Sequence, residues 1–269
     1  MLSVIIPAHN EALLISGCLT ALLASTGAQP VQVIVAANGC TDQTATMARG
    51  FVAQAQARGW AMLVLDLPQG GKPAALNAAD AVATYPNRAY LDADVTVSPH
   101  LLAQTIAALA APQPVYASGQ VRITGRGVVA RTYAAFWSRV PFMTQGVPGC
   151  GFFAVNGPGR AMWGAFPPII SDDTFVRLHF TPAQRVLLSA SYDWPIAEGF
   201  ANLVKVRRRQ DAGVAEIARL YPGLPANDGT PPVRKLRLAL ANPVAFAVYC
   251  AVAVAVRLTP ATPDWSRGR

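Results

Sequence analysis

Two aspartates separated by one alanine, Asp92-Ala93-Asp94, follow the apolar run Ala89–Leu91. Carboxylates at i and i+2 of an extended chain lie on one side of it. They can share a hard divalent cation that keeps phosphate oxygens in its shell. Isolated, such a pair is more often two turn aspartates capping the next helix; the apolar run before it and a glycine–lysine loop upstream turn the reading toward a cation. That loop, Gly70-Gly71-Lys72, can bring backbone N–H groups and an ammonium to a diphosphate. It is not a Walker A loop, because neither Ser nor Thr follows the lysine and the upstream glycine spacing is wrong. A second acidic pair, Asp172-Asp173, opens the helical stretch Thr174–His179. Capping a first helical turn is sufficient reason for such a pair; the alternative is a general base toward an acceptor hydroxyl.

Other chemistries are poorly served. His9, His100 and His179 share no metal-ligand spacing and read as structural. Cys18, Cys40, Cys150 and Cys250 form no C-x-x-C pair, which argues against a zinc cage and a disulfide framework. No G-x-G-x-x-G follows the first apolar run, which counts against a dinucleotide oxidoreductase. The start of the sequence has no basic n-region or small-residue cleavage site, so a reduced, cytoplasmic setting is expected.

Positioning these groups requires a regular scaffold, and the first 110 residues supply its pattern. Strands are expected at Leu2–Pro7, Val31–Ala36, Ala61–Leu65 and Ala89–Asp92. Between them, helices are expected at Glu11–Ala24 (capped by Asn10), Thr41–Arg58 and Pro73–Ala83. This alternation predicts an α/β fold with a mainly parallel sheet covered on both faces. Ligands of such sheets bind at the carboxyl ends of the strands. There the loops 8–11, 38–42, 69–72 and 92–94 would converge as a nucleotide site.

The 269 residues are 52% apolar and 13% charged, which suits one large or two modest folded domains and argues against disorder. The net charge of +8 is concentrated at one end. Residues 1–204 hold 11 Lys/Arg against 10 Asp/Glu, whereas residues 205–269 hold 11 against 4, including Lys205, Arg207, Arg208, Arg209, Arg234, Lys235 and Arg237. Such asymmetry suits phosphates or lipid head groups as well as a plain solvated face. Nucleic acid is not expected, because the basic residues do not interleave with stacking rings. Leu238–Val256 carries no charge over 19 residues, the lower end of a membrane-spanning length, but Asn242-Pro243 interrupts it. A helical apolar C-terminal segment contacting a membrane surface through 234–257 is therefore expected, with a core-packed helix as the alternative.

The series Val4–Glu11, Asn38-Gly39-Cys40-Thr41-Asp42, Gly71-Lys72-Pro73-Ala74-Ala75-Leu76-Asn77 and Asp92-Ala93-Asp94, in this order and spacing, resembles the family 2 glycosyltransferases. The likeness covers roughly the first 100 residues; beyond about Val115 it rests on Asp172-Asp173 and Arg207–Arg209. It implies a GT-A (Rossmann-like) fold and inverting transfer of a sugar from a nucleoside diphosphate donor to an acceptor hydroxyl. Pro7, Ala8 and Glu11 would then border the nucleoside, with Asn38 and Lys72 nearby. Asp92 would face the ribose or donor sugar, and Asp94 would ligate Mg²⁺ or Mn²⁺. Asp173 matches the family's base; Asp172 stands where Glu is usual, so either aspartate can hold that role. Arg207, Arg208 and Arg209 would neutralise the departing diphosphate. Ala37-Asn38 replaces an acidic pair, so the donor base is not fixed, and no Gln-x-x-Arg-Trp motif marks a processive synthase. The implied division is a donor half (1–110), an acceptor and base half (111–210, with Trp163 read as core) and a basic, apolar helical segment (211–269). With that segment goes a lipid-linked acceptor, a cell-envelope role and a place at the inner membrane face. The alternatives are a nucleotidyltransferase, or a non-catalytic membrane or nucleic-acid-binding module.

Overall fold

The computed structural model describes residues 1–232 and 235–258. The strands β1 (Leu2–Ala8), β2 (Val31–Asn38), β3 (Ala61–Leu67), β4 (Arg88–Leu91), β5 (Thr96–Val97), β6 (Tyr116–Thr124), β7 (Phe152–Val155) and β8 (Arg185–Pro195) form one sheet. Its order is β3-β2-β1-β4-β7-β6-β8-β5. The first four strands in space are parallel, with Ile5 opposite both Ile34 and Tyr90. The expectation of a mainly parallel sheet is corrected beyond them. β7 runs antiparallel to β4 and β6, β6 and β8 are parallel, and β5 is antiparallel to β8, so the sheet is mixed. In residues 111–195 successive strands are not parallel neighbours, and the four-residue β7 takes its direction from long-range pairing.

The helices of the first half are α1 (Ile15–Leu23), α2 (Thr44–Arg49), α3 (Val52–Ala57), α4 (Lys72–Ala81) and α5 (Leu101–Ala108). The single helix expected over 41–58 is two, divided at Gly50-Phe51. The second half adds α6 (Val128–Trp137), α7 (Pro141–Thr144), α8 (Gly157–Arg160), α9 (Asp172–His179) and α10 (Phe200–Leu220). Alternation along β1 sends Val4 and Ile6 to one face, where α1 and α5 cover them, and Ile5 to the other, against Ala75, Leu76 and Ala79 of α4. Both faces are thereby dry, which is why β1 and β2 are buried at every position.

A third apolar cluster packs beside β6 and β8. It joins Tyr133, Phe136 and Trp137 of α6 to Leu203 and Val204 of α10, and to Ala245 and Val252 of the C-terminal helix. The expected apolar C-terminal membrane segment is corrected here. Proline 243 divides it into α11 (Lys235–Ala241) and α12 (Pro243–Leu258). No helix among the described residues is long and apolar enough to cross a membrane. Instead Tyr249 of α12 stacks on Tyr133 at 5.4 Å and lies 4.6 Å from Phe136, centroid to centroid. The membrane-associated, cell-envelope reading loses its basis with that segment; Arg234 lies outside the described residues.

Helix α9, which carries the second acidic pair, is tied down by Arg177. This side chain is 1% exposed. Its Nε donates to the Gly146 carbonyl (2.8 Å), Nη1 to Asp228 Oδ1 (2.8 Å) and Nη2 to Thr230 Oγ1 (3.0 Å). Arg177→Met keeps much of the volume but strands the Gly146 carbonyl, while half-exposed Asp228 can rehydrate. The substitution is expected to lower stability by about 2 kcal/mol, read from the urea midpoint at an unchanged slope.

Candidate active site

The loops at the carboxyl ends of the parallel strands are stitched to one another by short polar side chains. Asn10, at φ +52°, does not cap α1; its Oδ1 accepts from the Thr41 N–H at 2.7 Å. Glu11 N donates to Thr44 Oγ1 (2.7 Å) and Ala12 N to Asp42 Oδ2 (3.1 Å). Asn38 is buried and fully engaged: Nδ2 donates to the carbonyls of Ala8 (2.9 Å) and Ala36 (3.2 Å), and Oδ1 accepts from Gly71 N (3.0 Å). Gly39 has φ +54°, and a Cβ there would lie 2.7 Å from the Gly70 backbone. The two glycines therefore let the β2 and β3 loops touch backbone to backbone.

This framework delivers Lys72, the first residue of α4, to the acidic groups. Its Nζ lies 2.9 Å from Asp92 Oδ1 and 3.1 Å from Asp172 Oδ1, joining residues 80 positions apart. Burial works against the ammonium, but Asp172, Asp92 and Asp173 outweigh it and hold Lys72 well above its ordinary pKa. Asp172 is 4% exposed, and its Oδ2 has no hydrogen-bond partner among the described residues. Burial raises its carboxyl, opposed by Lys72. The neighbouring Asp173 accepts from Thr174 N at 2.7 Å; burial, then repulsion from Asp172, pushes it up to about 6.

These groups line one cavity of about 710 Å³, within the range that holds small-molecule ligands. Of the residues singled out in the sequence, Pro7, Glu11, Asn38, Lys72, Asp92, Asp94, Asp172, Asp173, Arg207 and Arg209 line it. Ala8 and Arg208 do not: Ala8 is buried, its carbonyl spent on Asn38 and Cys40. Trp163 is in the core beneath the Arg160 guanidinium, 4.7 Å from its ring. The cavity also contains His9, read as structural for its lack of ligand spacing, and aromatic side chains that the sequence did not mark. His9 lies in it with Nδ1 2.6 Å from the Asn38 carbonyl oxygen, and so do Tyr133, Trp137 and Trp194. Position 9 was legible from its place after β1; aromatic residues at 133 and 137 share a helical face whether they line a core or a ligand.

The donor set bears on metal binding. Among the described residues no group of three or more His, Cys, Asp or Glu could hold a metal ion. Asp92 and Asp94 at one turn, the former shared with Lys72, suit a hard cation that takes its remaining ligands from phosphate and water.

Residues 3–162 match the family described as Glycosyl transferase family 2. No curated protein matches the chain. Among solved structures, the chain is similar to the mannosyltransferase PcManGT from Pyrobaculum calidifontis in complex with GDP-Man and Mn²⁺ (TM-score 0.60, 21% identity, 97% of this chain and 76% of that one). It is also similar to S. aureus TarS 1–349 in complex with UDP (TM-score 0.54, 14% identity, 95% and 91%). A third is glucosyl-3-phosphoglycerate synthase from Mycobacterium tuberculosis with Mn²⁺, UDP and glucosyl-3-phosphoglycerate (TM-score 0.53, 17% identity, 86% and 81%). At these identities the likeness is one of fold, GT-A. Gly39→Ala would impose a left-handed backbone and a clash with Gly70. It is expected to cost about 2 kcal/mol in thermal denaturation, whereas Gly17→Ala, on an exposed, open face of α1, is expected to stabilise by about 0.5 kcal/mol.

Proposed function

We propose, on the premise that the chain belongs to glycosyl transferase family 2, that this glycosyltransferase is an inverting, non-processive enzyme. It moves a sugar from a nucleoside diphosphate to an acceptor hydroxyl. The observation that carries the reading is the meeting of Lys72, Asp92, Asp94 and Asp173, from distant parts of the chain, in one cavity. Residues 1–110 bind the donor in this reading, and residues 111–210 supply the acceptor wall and the base.

Asp173 is the base. Asp172 is buried and spent on Lys72, whereas Asp173 is half-buried and, with a pKa of about 6, is both ionised and basic at neutral pH. It takes the proton of the acceptor hydroxyl as that oxygen bonds to the anomeric carbon from the face opposite the leaving group. The bond from the anomeric carbon to the diphosphate oxygen breaks, and the diphosphate keeps its electron pair. Lys72 and Arg209 offset the charge that develops on it, whereas Arg207 is paired with Asp211. Asp94, with Asp92, would hold Mg²⁺ or Mn²⁺, which when bound supplies positive charge to the leaving diphosphate.

Release of a nucleoside diphosphate is the expected product; release of pyrophosphate would replace this reading with nucleotidyl transfer. Asp173→Asn is expected to lower kcat by about a thousandfold with donor KM little changed. The wild-type rate should fall as pH drops through about 6, because a base raised from 3.8 to about 6 loses its ionised form there; the variant should lack that limb. Asp94→Asn is expected to abolish the Mn²⁺-dependent part of the thermal stabilisation given by UDP or GDP while leaving the fold intact.

A further inference from the structure

We infer that the acceptor is a hydroxyl compound with an apolar body, seated in a lobe of the same cavity formed by α6, the end of β8 and α10. The inference rests on the glycosyl-transfer reading and adds to it the class of acceptor. The cavity has two chemically distinct walls. One, from the strand loops and α9, bears the carboxylates and Lys72. The other presents Trp137, Trp194, Ile196, Leu203 and Val206.

On the second wall the Arg207 guanidinium is engaged by its own neighbours. Arg207 donates through Nε to Asp211 (2.8 Å) and through Nη1 to the Tyr133 hydroxyl (3.3 Å). Its guanidinium also lies 5.9 Å from the rings of Trp137 and Tyr249. Between these polar groups and Arg209 and Gln210 further along α10, the wall presents indole faces and aliphatic carbon to the cavity. An apolar ring or chain gains by burial there, at roughly 25 cal/mol per Å².

The lobe is built to last. Trp137 and Leu203 belong to the third apolar cluster, and α12 closes it from behind through Tyr249 and Phe246. It also reaches the reaction centre. Trp194 stands where a Cβ on Gly151 would meet it at 2.8 Å, and the Gly151 carbonyl accepts the Asp92 N–H at 2.9 Å. An acceptor body lying on Trp194 therefore holds its hydroxyl beside the Asp92–Asp94 turn.

The test compares methyl and hexyl β-glucosides, both kept monomeric, by calorimetric titration of the whole protein in the presence of Mn²⁺ with UDP or GDP. The hexyl compound is expected to bind at least about tenfold more tightly, from burial of its additional methylenes. Val206→Glu is expected to erase the difference; the thermal shift given by UDP or GDP with Mn²⁺ reports that the variant is folded. Should that variant not fold, Ile196→Asn replaces it. Equal affinity for the two glucosides, or a preference that survives the substitution, overturns the inference. Failure of the wild type to bind or release any nucleoside diphosphate overturns the transfer reading instead, and the glucoside comparison still reports on the lobe.

Discussion

A lysine ammonium held between two carboxylates, Asp92 and Asp172, is the contact on which the site depends. Three aspartates and Asp94 face one cavity, and like charges in a poorly solvated space repel strongly. Without Lys72 the turn after β4 and the first turn of α9 would push apart, and the donor and base walls would separate. The lysine's own position is fixed by backbone, not by side-chain packing. Gly71 precedes it at φ +142°, and the Gly71 N–H is held by Asn38, which also grips the end of β1. One buried amide thus sets where the ammonium starts, and the ammonium sets how far the carboxylates stand from each other.

The strand loops that line the cavity were readable in the sequence because their elements are local. β1, β2 and β3 are apolar runs whose loop residues follow within a few positions, so strand, turn and function share one pattern. The C-terminal half resisted for the opposite reason. β7 is Phe-Phe-Ala-Val, four residues whose direction is decided by pairing with β4 and β6. Asn10 looked like a helix cap by type and place, yet its positive φ turns the side chain to Thr41 in another loop. The uncharged stretch before Arg257 read as a membrane segment by hydropathy, a property that a third core satisfies equally well. Periodicity reports that a face is apolar and is silent on what covers it.

Asp172 and Asp173 show how one feature serves two ends. As first-turn residues of α9 they complement the helix dipole, which accounts for their presence without any reaction. Their consecutive positions then part them. The first is drawn inward to Lys72; the second is half-buried and binds its own helix through the Thr174 N–H. Burial first, and then repulsion from the partner that the lysine holds in place, raises Asp173 to about 6. A carboxylate tuned upward in this way is a better proton acceptor than a surface aspartate and remains ionised near neutrality.

The base also has to be held from a side that the donor does not disturb. The first turn of α9 meets Lys72, and its further length is held by Phe175, Val176 and Leu178 in the core and by Arg177 bonded to Gly146, Asp228 and Thr230. Those anchors lie in segments before α9 and after α10, away from the strand ends that would receive a diphosphate. The proposed acceptor wall rests on a core of its own, in which α6, α10 and α12 pack on one another and meet the sheet through Val121 and Trp194. The cavity lies where the loops at the sheet edge meet a wall of helices, and Lys72 joins the turn after β4 to the first turn of α9; in the proposed reading these are the donor edge, the acceptor wall and the base.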